Sequence, residues 1–468
     1  MIRSLIAALM AAAAMPAMAA PTNGEATFRS LYKELVETNT SFSAGSCTLA
    51  AERMAARLKQ SGFPDSDLHL LVPPDHPKDG NLVAVYPGTD PKAKAILLLA
   101  HIDVVEAKRE DWTRDPFTLV EEGGYFYGRG VSDDKAQAAI FTDLLIRLRQ
   151  EGFHPRRPVK MALTCGEEGG GQVNGASWLA TTQPQLIDAA FALNEGAGGA
   201  FDAAGKRVAH NIQAGEKTSV GYKLEVTNPG GHSSRPVPDN AIYHLVRAVD
   251  RISRYEFPVQ LNDATRGYFT KMSKVVGGQT GAAMLAIVKN PNDKAAYATL
   301  AKDPSYHSIL GTTCVATRLD AGHANNALPQ RATAVINCRI FPGVTREAVR
   351  QTLVKLVNDP KVSVSEPGDG RTKAIVGAPP LTPEVMGPIE KVSAEMWPGV
   401  PVVPLLLAAG TDAPALIAIG IPTYGVSGMF YEPDLGHIHG LNERIGVKSL
   451  MEAREFNYRL VKIYADEK

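Results

Sequence analysis

Three short apolar runs in this chain each end on a histidine or an acid, and this feature constrains the fold more than any other. Ala95–Ala100 leads into His101-Ile102-Asp103, Val159–Cys165 into Gly166-Glu167-Glu168, and Ala189–Leu193 into Asn194-Glu195. Leu82–Tyr86 is a further run of the same kind. Apolar runs of this length read as buried strands, and Lys135–Gln150, with Ala136, Ala139, Ile140, Ile146 and Leu148, follows helical rather than strand spacing. Strands alternating with helices imply an α/β layer with a largely parallel sheet. Ligands of such open sheets sit outside the carboxyl ends of the strands. Three groups of metal-ligand residue types at three strand ends therefore point to one converging site. A fourth group, Gly128-Arg129-Gly130-Val131-Ser132-Asp133-Asp134-Lys135, is a glycine-rich turn that places Asp133 near a helix start. Taken singly, each group has a plain explanation: His101 as a satisfied polar residue, Glu167-Glu168 as a solvated loop, Asp133 as a helix cap, Glu195 as surface charge. Their succession after apolar strands favours a common site.

The pattern changes after about Gly215. Thr218–Thr227 alternates like a half-exposed strand, Asn240–Tyr255 is amphipathic, Thr312–Leu319 and Ala332–Ile340 read as strands, Arg346–Val357 as a helix and Val362–Val364 as a short strand. That order is β-α-β-β-α-β, the split βαβ unit. The segment 257–306 interrupts it and reads as mostly helical, and α/β character returns after about Gly370. The expected organisation is a signal peptide over 1–19, a catalytic domain over 20–215 and 371–468, and a smaller α+β domain over 216–370 inserted into it.

Met1–Ala20 carries Arg3, an apolar run from Ser4 to Ala14 and an Ala17-Met18-Ala19 cleavage site, the order expected of a secretory signal cut after Ala19. The mature chain is expected to be secreted or periplasmic, free of the membrane. Lys+Arg and Asp+Glu are both 49 in the 468 residues, which argues against a nucleic-acid partner. The four cysteines are too few for a disulfide scaffold. Cys314 and Cys338, in neighbouring strand-like runs, are the candidate pair; buried free thiols are the alternative. The glycine-rich stretches at Gly128–Gly130 and Gly169–Gly171 fail both the dinucleotide and the P-loop spacings.

Imidazole with carboxylate suits zinc, and two metal ions about 3.5–4 Å apart need a carboxylate between them. Of two adjacent glutamates, one can bind metal while the other acts as a general base on water. In order, H-x-D, G-R-G-x-x-D-x-K, G-E-E, N-E-G and a late H-G-x-N-E resemble the exopeptidase family of glutamate carboxypeptidase, aminoacylase, carboxypeptidase S and succinyl-diaminopimelate desuccinylase. Trp112, Asp115-Pro116-Phe117 and the extra helical segment resemble the carboxypeptidase S branch most. The resemblance implies a zinc-exopeptidase (phosphorylase/hydrolase-like) catalytic domain with a mixed central sheet, interrupted by a lid and dimerisation domain. It implies two Zn²⁺ per subunit, for which Co²⁺ or Mn²⁺ could substitute. His101 and Glu195 would hold one ion, Glu168 and His439 the other, and Asp133 both. Asp103 would orient His101, and Glu167 would be the general base and acid. His437 competes with His439, which fits the Gly-x-Asn-Glu context. The Ala136 that follows Lys135 departs from the glycine of many relatives.

The same resemblance implies that His232, in Gly230-Gly231-His232-Ser233-Ser234-Arg235-Pro236, reaches the oxyanion from the partner subunit, hence a homodimer. Asn326 and Arg339 resemble a carboxylate-binding pair, and Thr411 and Asp412 a pocket motif; as bare sequence these are a Gly/Ser/Pro turn, a strand-end charge and a helix N-cap. The expected reaction is hydrolysis of an amide next to a free carboxylate in a small peptide (carboxypeptidase or dipeptidase) or in an N-acyl amino acid. A metal-binding module without catalysis is the reading from another class, and the presence of Glu167 argues against it.

Overall fold

A computed structural model describes residues 24–366 and 375–466. The expected signal peptide and the expected boundary at 370 lie outside them.

A sheet of ten strands runs through the larger part of the molecule. At its centre four strands lie parallel, in the order Val159–Thr164, Ile96–His101, Phe191–Asn194 and Thr423–Gly425. Their sequences alternate between two buried faces, which is why they read as continuous apolar runs. Ile96, Leu98 and Ala100 pack with the helices Glu25–Glu37, Lys135–Gln150 and Val447–Asp466. Leu97 and Leu99 pack on the opposite side with Gly175–Thr182 and Ala413–Ile417. Each of these leucines and Ile96, being almost wholly buried, contributes about 1.5–3 kcal/mol relative to exposure.

The sheet is mixed rather than largely parallel. Asn81–Tyr86 and Leu68–Leu71 extend one side antiparallel. On the other side Arg207–Glu216 is antiparallel to Thr423–Gly425 and pairs with Val402–Leu407 in parallel. The expected strand–helix alternation holds in the centre, where helices cover both faces; at the flanks Asn81–Tyr86 and Arg207–Glu216 run antiparallel to central strands that are distant in sequence.

The second sheet has the order Thr313–Ala321, Arg331–Ile340, Thr218–Thr227, Ser363–Ser365, all antiparallel. The helices Ala241–Ser253 and Arg346–Val357 cover one face through Leu245, Ile252, Val349 and Leu353. This is the β-α-β-β-α-β unit. Between its first helix and the strand Thr313–Ala321 come the helices Asp263–Val276, Gly278–Lys289, Lys294–Leu300 and Pro304–Ile309. They form their own cluster around Phe269, Met284 and Ile287, which also takes in Leu406 of the large sheet. Lys271 Nζ donates to Val402 O at 2.9 Å, a second tie to that sheet.

All four cysteines are bonded. Cys314–Cys338 joins paired strands, excluding the free-thiol alternative, and Cys47–Cys165 is a bridge that sequence reading does not anticipate. Cys47 opens the helix Cys47–Gln60 and lies 118 residues from its partner, so only the packing of that helix on the sheet brings them together.

Candidate metal centre

The strand ends converge as the strand register requires. His101 is the last residue of its strand, directly beside Thr164, and Glu195 follows the strand ending at Asn194. His101 Nε2 lies 3.0 Å from Asp133 Oδ1 and 4.0 Å from Glu195 Oε1. His439 Nε2 lies 2.8 Å from Glu168 Oε1 and 3.1 Å from Asp133 Oδ2. Asp133 thus presents one oxygen to each of two groups, His101–Asp133–Glu195 and Asp133–Glu168–His439, whose donor atoms lie within 4.8 Å of one another. Each group is an imidazole with two carboxylates and fits a hard-to-borderline cation taking nitrogen and oxygen donors. His437 is turned elsewhere: its Nδ1 lies 3.3 Å from Leu441 O and its Nε2 3.3 Å from Asp434.

Buried acids at this density perturb each other. Burial pushes Glu195 well up and raises Glu168. Burial opposes protonation of His101, but its hydrogen bonds to Asp103 and Asp133 outweigh that and hold it well above its ordinary value. Hydrogen bonds to Asp133 and Glu168 push His439 up to about 10. A metal ion binding these donors would compete with protons for them.

The supports explain the geometry. Gly166, with φ +81°, turns the chain out of the strand, and a Cβ there would meet Val173 O at 2.4 Å. The turn sends the Glu167 and Glu168 N–H groups to the Asp103 carboxylate at 3.3 and 3.0 Å. Asp103 therefore spends its carboxylate mainly on this loop, and its backbone oxygen, at 3.1 Å, is the nearer partner of His101 Nδ1. The Cys47–Cys165 bridge holds the loop just before the turn.

Glu443 is the supporting residue that sequence reading passed over, although it stands in the late H-G-x-N-E motif. Fully buried, it accepts from Arg129 Nη1 at 2.7 Å and from the backbone N–H groups of Gly130, Ser132 and Asp133 at 3.1, 2.9 and 3.2 Å. One carboxylate thus pins the turn carrying Asp133 to the loop carrying His439. In that loop Leu435, His437, His439 and Asn442 all have positive φ, between 53° and 61°. Such conformations cost of order 1–3 kcal/mol each and persist where surroundings enforce them. Asn442 Oδ1 accepts from Thr113 Oγ1 at 2.6 Å, which anchors the segment that follows His439.

Thr411 and Asp412 are buried joints. Thr411 Oγ1 donates to Glu216 at 2.6 Å and accepts from Ala413 N at 3.1 Å, so Thr411 rather than Asp412 caps the following helix. Asp412 accepts from Asn174 Nδ2 at 2.6 Å and Thr164 Oγ1 at 3.2 Å. Both residues line a cleft that also holds Glu167.

The remaining expected residues lie apart from the cluster. His232 is exposed on a two-residue strand paired with Ala327–Leu328, and its ring bonds Ser234 Oγ at 2.7 Å. Asn326 O accepts from Ser233 N at 3.0 Å, which joins those two motifs. Arg339 stands opposite Ser219 and Thr313 on the face of the small sheet away from its helices, with no hydrogen bond or ion pair among the described residues.

Residues 97–463 match the model of peptidase family M20/M25/M40, and the chain belongs to this family of metal-dependent hydrolases. It is 29% identical over 394 residues to a probable carboxypeptidase S-like 2 of Dictyostelium discoideum, covering 82% of this chain and 74% of that one. It is 28% identical over 383 residues to the mouse N-fatty-acyl-amino acid synthase/hydrolase PM20D1, covering 80% and 75%. The fold is similar to that of the M20 family metallo-carboxypeptidase Sso-CP2 of Sulfolobus solfataricus, with TM-score 0.69, 18% identity, and 94% and 99% of the two chains covered. The protein is an enzyme of the metallopeptidase and amidohydrolase class.

Proposed function

We propose that the protein is an exported dizinc amidohydrolase that cleaves an amide bond whose departing amine carries a free carboxylate, in a small peptide or an N-acyl amino acid. The observation that carries this reading is Asp133, with one oxygen 3.0 Å from His101 and the other 3.1 Å from His439. His101, Asp133 and Glu195 would hold one ion, and Asp133, Glu168 and His439 the other. Bound there, the pair would supply Lewis acidity toward the substrate carbonyl and water. Co²⁺ and Mn²⁺ accept the same donors.

Glu167 is the group that takes the proton from the attacking water and returns it to the departing nitrogen. It sits beside the metal-ligating Glu168, and Asp103 fixes its backbone. Arg339, with no hydrogen bond or ion pair among the described residues, would grip the substrate carboxylate; Asn326 lies in the loop at the other end of the same hairpin, beside His232. His232 would reach the oxyanion of a second subunit. The homodimer is supported by the edge strand Thr313–Ala321, whose Val315 and Leu319 are 59% and 60% exposed, beside Tyr243 and Val246 on the adjoining helix face. Two disulfides support an oxidising compartment, in line with the expected signal peptide. No helix among the described residues is long and apolar enough to cross a membrane.

The test is turnover of dipeptides, C-terminally amidated peptides and N-acyl amino acids by chelated and Zn²⁺-reloaded protein, with Glu167→Gln alongside. Activity should need the metal and the free carboxylate, and Glu167→Gln should keep its metal while losing at least about 100-fold in turnover. Chelator-insensitive activity, or a Glu167→Gln variant as active as wild type, refutes the reading.

A further inference from the structure

Glu168 is followed by Gly169, Gly170 and Gly171, all at positive φ. The ring of Phe42 lies along the last two. A Cβ on Gly170 would stand 3.1 Å from Phe42 Cβ, and one on Gly171 2.8 Å from Phe42 Cζ; at both positions the nearest atoms belong to Phe42. Carbon atoms pack at about 3.5–4.0 Å, so only glycines admit the ring this close. Phe42 is nevertheless 51% exposed. A lone apolar side chain on a surface is ordinary, but one laid lengthwise on a glycine pair makes a specific contact.

The ring is held from its own side. Phe42 stands in the turn over 41–45, closed by Gly45 N donating to Ser41 O at 2.8 Å. Ser41 N and Oγ both donate to Asn39 Oδ1 at 2.9 Å, and Ser43 N and Oγ donate to the two carboxylate oxygens of Glu106 at 2.8 Å. Ser41 also pairs with Val104, the residue after Asp103. The turn is thus anchored to the segment that carries Asp103, and Phe42 reaches from it onto the glycines.

This contact completes the support of the two glutamates. Upstream, the Asp103 carboxylate holds the N–H groups of Glu167 and Glu168. Downstream come only glycines, which lose more conformational freedom on ordering than any other residue. Gly169 and Gly171 line the same cleft as Glu167, so the ring bears on a wall beside that group. We propose that Phe42 is a positioning residue: it clamps the glycine stretch and so holds Glu168 toward His439 and Glu167 in the geometry for proton transfer. The roles of the two glutamates rest on the amide-hydrolysis reading above.

The experiment compares the full wild-type protein with Phe42→Ala and Phe42→Tyr. Amide hydrogen exchange is followed by mass spectrometry on the metal-free proteins. Steady-state kinetics are measured on the Zn²⁺-reloaded proteins, with whichever of the dipeptides and N-acyl amino acids is turned over fastest. Phe42→Ala should speed exchange over 166–173 at least about fivefold and leave the strand Ile96–His101 as in wild type, which separates local loosening from general destabilisation. It should lower kcat about 10- to 100-fold with KM within about twofold, because a misplacement of about 1 Å costs that much. Phe42→Tyr, which keeps the ring, should restore both. If Phe42→Ala does not fold, Phe42→Leu reads the same two quantities with smaller changes. Either change without the other overturns the clamp, as does a rise in KM alone or a Tyr variant as impaired as the Ala variant. A metal-loaded wild type inactive on every substrate overturns the amide-hydrolysis reading instead, and the exchange result stands independently of it.

Discussion

Replacing Asp133 by Asn is the sharpest probe of a shared metal ligand. The substitution keeps side-chain size and one carbonyl oxygen, removes the negative charge, and turns an N–H₂ donor toward one of the two groups. The charge is lost about 3 Å from both imidazoles, judging by the separations of 3.0 and 3.1 Å. At an effective dielectric constant of about 20, a unit charge pair at such range is worth about 5 kcal/mol, before screening. That corresponds to roughly three to four orders of magnitude in affinity. His439 is half-exposed, which screens its side, so a loss of about 100-fold is the conservative expectation there. Glu195→Gln, by contrast, touches one group only. Metal content after dialysis against buffered Zn²⁺, followed by calorimetric titration, should give two ions for wild type, one tight ion for Glu195→Gln, and neither held tightly by Asp133→Asn. Matching melting curves of the metal-free proteins would show that the variants fold. An Asp133→Asn protein that keeps two ions at wild-type affinity would refute the bridging geometry.

Arg339→Ala should raise KM roughly tenfold or more for free-carboxylate substrates and leave their amides unchanged, since a charge-assisted contact is lost only with the former; equal effects on both would remove its role. Replacing Cys47 and Cys165 together by Ser should destabilise more than replacing Cys314 and Cys338, because the bridges span 118 and 24 residues. The chain-entropy difference is about 1 kcal/mol, readable by denaturant titration, and only the first pair should also lower turnover; the reverse ranking would contradict the argument. Lys217 Nζ is buried against Ser308 O and Thr313 Oγ1 at 2.7 and 2.9 Å, and burial, then the Arg339 charge, pushes its pKa from 10.5 down to about 7. The unfolded chain therefore binds a proton that the folded chain lacks between those values. Stability relative to Lys217→Met should rise with pH across that window; a pH-independent difference refutes the shift.

Much of the site was legible because it is local. His101, Glu167-Glu168 and Glu195 each follow an apolar strand directly, and the strand direction alone aims them at one edge. The helix Lys135–Gln150 and the β-α-β-β-α-β order follow from hydrophobic period. Residues whose work depends on distant partners escaped this reading. Cys47 and Cys165 meet only after a helix packs on the sheet. Glu443 reads as a polar residue in a late loop until its four donors, from Arg129 to Asp133, are seen around it. The cleft beside Glu167 joins two helices more than 200 residues apart, and nothing in either stretch announces it.

Sequence by itself determined the donor inventory and its order along the chain, because strand alternation and ligand chemistry are properties of neighbouring residues. Tertiary structure decided which oxygen of Asp133 faces which imidazole, and that His439 rather than His437 completes the second group. It also decided that Asp103 serves the glutamate loop as much as His101. Those outcomes depend on where the late His439 loop docks, and that docking is set by a buried Arg129–Glu443 pair at 2.7 Å that bridges 314 positions of sequence.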